Sequence, residues 1–188
     1  DVDLVSVLMP PSLHLEIASA ALRAGKHVIC EKPTAMNETE AEELLALSRE
    51  HPDRIAIIDH ELRFLPAWRS ARERVAQLGG VRLIEVRYAS PGRADRNREW
   101  NWWSDADHGG GIWGAVGSHF VDTIRYLGLE IEAGPAPLHT VIETRPHQGK
   151  PRAVTSDDFA AVNLRLSGGA TAAMTIIAVA TGQDEPAA

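Results

Sequence analysis

Apolar and polar positions follow one rhythm in the first third of this chain and another in the remainder. Residues 3–9 form a short, nearly continuous apolar run closed by Pro10-Pro11, the pattern of a buried strand. Ser12 is placed to cap an amphipathic helix through Leu13, Ile17, Ala20, Ala21 and Leu22, and Gly25 stops it. His27–Cys30 is a second apolar run, followed by the loop Glu31-Lys32-Pro33. Asn37 and Glu40 spell a capping box for the next helix, with Leu44, Leu45 and Leu47 turned inward. Ile55–Ile58 reads as a third buried run. Short apolar runs alternating with helices predict βαβ units, and hence an α/β fold with a parallel sheet covered on both faces.

The rhythm changes after residue 60. Pro66 suits the first turn of a helix that runs to Gly79-Gly80. Between Val81 and Ser90, Ile84, Val86 and Tyr88 alternate with Glu85 and Arg87, which predicts a strand with one wet face in an antiparallel sheet. A Trp-rich loop spans 91–108, and a helical pattern from Ile112 to Leu127 stops at Gly128. Alternating segments at about 158–166 and 170–179 flank Ser167-Gly168-Gly169, a hairpin signal. An α+β domain with a mainly antiparallel sheet is expected for residues 62–188, after an α/β domain over 1–61.

Composition narrows the function classes. A net charge of −7 argues against a nucleic-acid partner, because phosphate backbones reward clustered Lys and Arg. The densest basic stretch, Arg93 to Arg98, is interrupted by Asp95 and reads as a solvated loop. The single cysteine, Cys30, forms no internal disulfide and suits a reducing compartment, so a cytoplasmic location is expected. No apolar stretch approaches the length of a membrane span, and no membrane partner is expected.

Two groups of residues carry candidate chemistry. In open α/β sheets ligands sit at the carboxyl ends of the strands, where Met9-Pro10-Pro11 and Glu31-Lys32-Pro33 fall. Lys32, fixed by the proline after it, can point an ammonium at a ligand oxygen, or can be a plain surface charge. The second group is Gly109-Gly110-Gly111 followed by His119 and Asp122 on one helix face. His119 can take a proton from a hydroxyl as hydride departs, or can be a core histidine bonded to Asp122. A phosphate cradle at these glycines is disfavoured because no apolar strand runs into them. His108, His119 and Asp122 lack any recognised metal-ligand spacing, and no metal is expected. Trp100, Trp102 and Trp103 either stack on a sugar ring or pack the loop down. Arg63 is expected at the domain junction, and His60 is open between junction and substrate.

Gly25-Lys26-His27-Val28-Ile29-Cys30-Glu31-Lys32-Pro33, preceded by Pro10-Pro11 and His14, resembles the glucose–fructose oxidoreductase / inositol dehydrogenase / rhizopine-catabolism (Gfo/Idh/MocA) family. Arg63-Phe64-Leu65-Pro66 and the run from Gly109 to His119 and Asp122 resemble its Arg-Phe-x-Pro and Gly-Gly-Gly…His-x-x-Asp motifs, so the resemblance spans residues 1 to about 180. It implies the C-terminal part of a Rossmann domain, then a sheet domain used in homo-oligomerisation, and NAD or NADP as cofactor. It also implies hydride transfer to or from a sugar, polyol or cyclitol. Lys32 and His119 are the implied catalytic residues; Met9, Pro10, Pro11, His14, Glu31, Lys32 and Pro33 would line the nicotinamide side of the groove. Trp103, Asp122 and His60 are the expected substrate contacts. Many family dehydrogenases carry Asp four residues before the histidine, where this chain has Ala115. That leaves a non-catalytic NAD(P)-binding regulator, or an NAD-dependent glycoside hydrolase, as alternatives on the same fold. The family's pyrophosphate-binding turn belongs to a βαβ unit ahead of Asp1, so this chain by itself is expected not to grip the whole dinucleotide.

Overall fold

The structure, a computed structural model, describes residues 2–181; the last seven residues of the expected second domain lie outside the described part. Strands β1 (Leu4–Val7), β2 (His27–Cys30) and β3 (Ala56–Ile58) form a parallel sheet in the order β1-β2-β3. Helix α1 (His14–Arg23) connects the first two and α2 (Glu38–Glu50) the second and third. The α1 helix ends because Gly25, at φ 71°, turns left-handed, letting the Gly25 and Lys26 N–H groups return to Leu22 and Ala21. Ser12 does not cap it: residues Pro11–Leu13 make a 3-10 turn that runs directly into His14, with no side-chain cap. At α2 the capping pair forms, with Asn37 accepting from Glu40 N–H at 3.0 Å and Glu40 accepting from Met36 N–H at 3.1 Å.

Among the described residues the sheet is covered on one face, where two were expected. Both helices pack on the face of Val7, Val28 and Cys30, burying them with Ala18, Leu22, Leu44 and Leu47. Two successive right-handed crossovers in the same direction put both helices on the same side. Among the described residues the opposite face is open, so Leu4 and Ile57, expected to be buried, are 48% and 45% exposed. Leu45 is half exposed on the outer flank of α2.

Beyond a 3-10 turn at Glu61–Phe64 comes α3 (Pro66–Gln77), with proline in its first turn. A five-stranded sheet follows, built from β4 (Leu83–Ala89), β10 (Thr171–Ile177), β9 (Phe159–Leu166) and β5 (Ile131–Ala133), with β6 (Leu138–His139) also on β9. The β9–β10 hairpin turns through Ser167–Gly169 as its glycines predict, in register Thr171 to Arg165. The expectation for β4 fails in direction: β4 pairs with β10 in parallel. Alternation reports one wet face and says nothing of strand direction, which the long excursion between β4 and β10 decides. β7 (Thr144–His147) and β8 (Lys150–Ala153) form a separate hairpin.

Helix α4 (Ser118–Tyr126) lies on this sheet, burying Ile124 against Leu164, Leu166, Met174 and Ile176. Each such side chain contributes about 1.5–3 kcal/mol on leaving water. Just before α4, residues Trp113–Gly117 form a π-helical turn in place of the continuous α-helix expected from Ile112. None of the described helices is long and apolar enough to cross a membrane.

Candidate active site

The two sheets meet along a seam at the carboxyl ends of β1 and β2. Every glycine of the run 109–111 is there because something sits where its side chain would be. A Cβ on Gly109 would strike Pro11 at 2.5 Å and Met36 at 2.8 Å, so Gly109 is where the second sheet's connection touches the first unit. A Cβ on Gly110 would strike the Trp103 carbonyl, and one on Gly111 the Asp157 carboxylate. The Asp157 side chain accepts from Trp113 N–H at 2.8 Å while its own carbonyl accepts from Ile112 N–H at 2.9 Å. A carboxylate from this chain therefore fills the place at the turn that an anion would take in a phosphate cradle. Burial raises the Asp157 pKa above the usual carboxylate range.

Lys32 crosses this seam. Its ammonium donates to the Ala115 carbonyl at 2.7 Å, inside the π-turn. The carbonyl that receives the lysine thus belongs to the one stretch of this helix that departs from regular α geometry. His119 follows one turn later. Its imidazole is half-buried, and its pKa is lowered first by burial and next by the Lys32 charge. The buried Nδ1 has no partner among the described residues, and Nε2 lies 3.8 Å from an Oε1 of Glu61, whose side chain is mostly exposed.

Asp122 does not hold His119. Both its oxygens accept from Arg63, at 2.8 and 2.5 Å, a two-pronged pair that fixes the turn Glu61–Phe64 on α4. Arg63 and Arg72 both lie over the Tyr126 ring. The same turn delivers His60, whose buried Nδ1, without a hydrogen-bond partner among the described residues, lies 3.9 Å from Asp122, and whose ring meets His119 edge-on at 6.3 Å. Burial lowers the His60 pKa as well.

A cavity of about 500 Å³ opens beside the seam, bordered by Pro11, Pro33, Met36, His60, Trp113, Ser118, Asp122 and Asp157 among others. Lys32 and His119 are absent from its wall, which they flank through their neighbours Pro33 and Ser118. Trp103 is not on the wall either. Its ring packs on the second core under the Arg93 guanidinium at 3.7 Å, and Trp113 takes the aromatic place in the cavity. Met9 is half exposed past the end of β1, and Glu31 is half-buried beside Lys32. His14 cannot line a groove with its ring: it is fully buried, with Nδ1 2.9 Å from the Pro33 carbonyl and Nε2 2.9 Å from that of Met9. His108 is paired with Asp105 at 3.0 Å on the exposed loop, away from the Asp122–Arg63 pair. Sequence reasoning missed Asp157, Trp113 and Glu61. The periodic pattern places Asp157 at the head of a strand, and nothing local says that a helix 44 residues earlier is capped by it.

Residues 1–59 match the family model described as an oxidoreductase family with an NAD-binding Rossmann fold, and residues 68–187 match the Gfo/Idh/MocA C-terminal domain. An oxidoreductase of Synechocystis sp. is 36% identical over 187 residues, which is 97% of this chain and 50% of that protein. The bovine glucose-fructose oxidoreductase domain-containing protein 2 is 32% identical, over 94% of this chain and 46% of its own length. Among solved structures, an oxidoreductase domain protein from Kribbella flavida superposes with a TM-score of 0.90 at 34% identity, covering 97% of this chain and 50% of that one. A levoglucosan dehydrogenase in complex with NADH and levoglucosan superposes with a TM-score of 0.89 at 30% identity, covering 98% and 50%. The chain thus spans about half the length of the relatives it matches. With both of its units matched in order, this chain belongs to the Gfo/Idh/MocA family of oxidoreductases.

Proposed function

We propose that the protein containing this chain is an NAD(P)-dependent oxidoreductase that moves hydride between a nicotinamide and a hydroxyl-bearing carbon of a sugar, polyol or cyclitol. The observation that carries this is the crossing of the seam by Lys32, which puts an ammonium one helical turn from a neutral, half-buried imidazole. The residues fit the nicotinamide end of a dinucleotide: Met9 stands open at the end of β1, and the buried Nδ1 atoms of His60 and His119 lack partners among the described residues. Met9, Pro10, Pro11, Glu31, Lys32 and Pro33 would hold that ring, and a bound nicotinamide would supply the hydride acceptor or donor.

The chain's own residues do the rest. In oxidation Lys32 donates to the substrate oxygen and stabilises the developing alkoxide; His119, kept neutral by burial and by Lys32, takes the hydroxyl proton. Glu61, largely exposed and 3.8 Å from His119 Nε2, offers that proton a way to solvent. Ala115 leaves no carboxylate four residues before His119, the one feature that favours a cofactor-binding regulator, and cofactor binding without turnover across the substrate panel would support that reading. The levoglucosan-bound relative supports a sugar-like ring as substrate class. A soluble location in the cytoplasm, and oligomers formed through the wet face of the second sheet, belong to the same proposal.

The test is turnover of the full-length protein with NAD or NADP over a panel of aldoses, polyols and cyclitols. Lys32→Ala is expected to lower kcat by at least about 100-fold with the fold kept, since a preorganised donor of this kind contributes 10²–10³. Full activity in that variant overturns the assignment. Release of sugar from an aryl glycoside without net NADH would give the hydrolase instead.

A further inference from the structure

Three of the residues that form the two strand-end loops, Pro10, Pro11 and Pro33, have no backbone N–H to give. Beyond the ladder bond from Glu31 N–H to the Val7 carbonyl (3.0 Å), no backbone hydrogen bond joins residues 8–13 to 31–36. The loops nevertheless lie side by side, and the cross-link between them is the His14 ring, fully buried at the start of α1. Its nitrogens lie 2.9 Å from the carbonyls of Met9 and Pro33, one in each loop. Carbonyl oxygens only accept, so each contact is a bond when the ring nitrogen facing it carries a hydrogen, and with a hydrogen on both nitrogens the ring ties the two loops together.

We infer that His14 is a positioning residue: it holds the Met9–Pro11 loop and the Lys32–Pro33 loop at a fixed separation and so sets where the Lys32 ammonium arrives. The inference rests on the catalytic reading of Lys32 given above. A lysine side chain reaching across a seam to one carbonyl has little slack, and a displacement of about 1 Å at a reacting centre costs on the order of 100-fold in rate.

The test uses full-length protein with His14→Asn, whose amide nitrogen stands where Nδ1 was and keeps the bond to Pro33, and His14→Gln, whose amide nitrogen stands where Nε2 was and keeps the bond to Met9. Steady-state kinetics and melting temperature are measured for both. His14→Asn frees the Met9 loop and is expected to raise the cofactor KM several-fold with kcat within about threefold of the parent. His14→Gln frees the Lys32 loop and is expected to lower kcat about 10- to 100-fold with a smaller change in KM. Parameters that match the parent in both variants, or that fall in both in proportion to lost stability with no split between KM and kcat, overturn the role. Lys32→Ala in the same assay separates the two readings. If it is inactive while the His14 variants are unaffected, only the positioning role fails; if it is fully active, the catalytic reading fails first. Should neither His14 variant fold, hydrogen exchange on the parent protein decides. Segments 8–13 and 31–36 are expected to open together, and independent opening overturns the inference.

Discussion

Removing the Arg63 side chain isolates what holds the turn Glu61–Phe64, and with it His60 and Glu61, against the helix of His119. The Asp122 side chain is 10% exposed and that of Arg63 45%. In Arg63→Ala the carboxylate loses both donors, leaving, among the described residues, only His60 Nδ1 at 3.9 Å. Stranding one partner of a fully buried pair costs about 3–5 kcal/mol, and the half-exposed arginine reduces this by solvent screening to roughly 2–3 kcal/mol. At about 2–4 °C per kcal/mol, the melting point should fall by roughly 4–12 °C. The reverse change, Asp122→Asn, leaves a guanidinium that water can reach, and should cost only about 1 kcal/mol. Arg63→Lys keeps the charge without the fork and should fall between. Urea titration of the three variants and of the Arg63→Ala/Asp122→Asn double variant measures this, the double variant recovering part of the loss. An Arg63→Ala variant within about 0.5 kcal/mol of the parent, or an Asp122→Asn variant as damaged as Arg63→Ala, would refute the reasoning.

Gly110→Ala should destabilise by about 1–3 kcal/mol, because its Cβ meets the Trp103 carbonyl, which is itself held by the Ser156 hydroxyl at 2.8 Å. Gly168→Ala, at φ 73° with open space around it, should cost only the left-handed backbone term of about 1–2 kcal/mol, and a Gly110→Ala urea midpoint unchanged from the parent would contradict the close-approach account. The lowered pKa values of His60 and His119 mean that the unfolded chain binds more protons as pH drops below about 6.5. Stability should therefore be full above that pH and decline as pH falls through it. Substrate oxidation should lose rate only at lower pH, where His119 itself protonates; thermal melts and kcat/KM measured across pH 5–8 check both. Cys30 is buried, and burial, with the Glu31 charge, pushes its thiol up to about 11; iodoacetamide at pH 8 should label it slowly until urea opens the fold.

Local patterns were enough for the elements whose signals are carried by their own residues. The Asn37/Glu40 cap, the left-handed stop at Gly25 and the Ser167–Gly169 hairpin are each set by a few contiguous side chains, and each forms as read. The sequence also marked Lys32 and the glycine run, since a lysine locked before proline and three adjacent glycines are odd wherever they occur. Other features depended on partners distant along the chain. The parallel pairing of β4 with β10, the burial of His14 between two loops, the capture of Asp122 by Arg63 and the capping of the His119 helix by Asp157 all join residues 19 to 88 positions apart or bridge such loops. Hydrophobic periodicity says that a residue faces inward, but not what it meets there. That is settled when the two sheets pack, because hydrogen bonding and charge pairing act over a few ångströms of space regardless of separation along the chain.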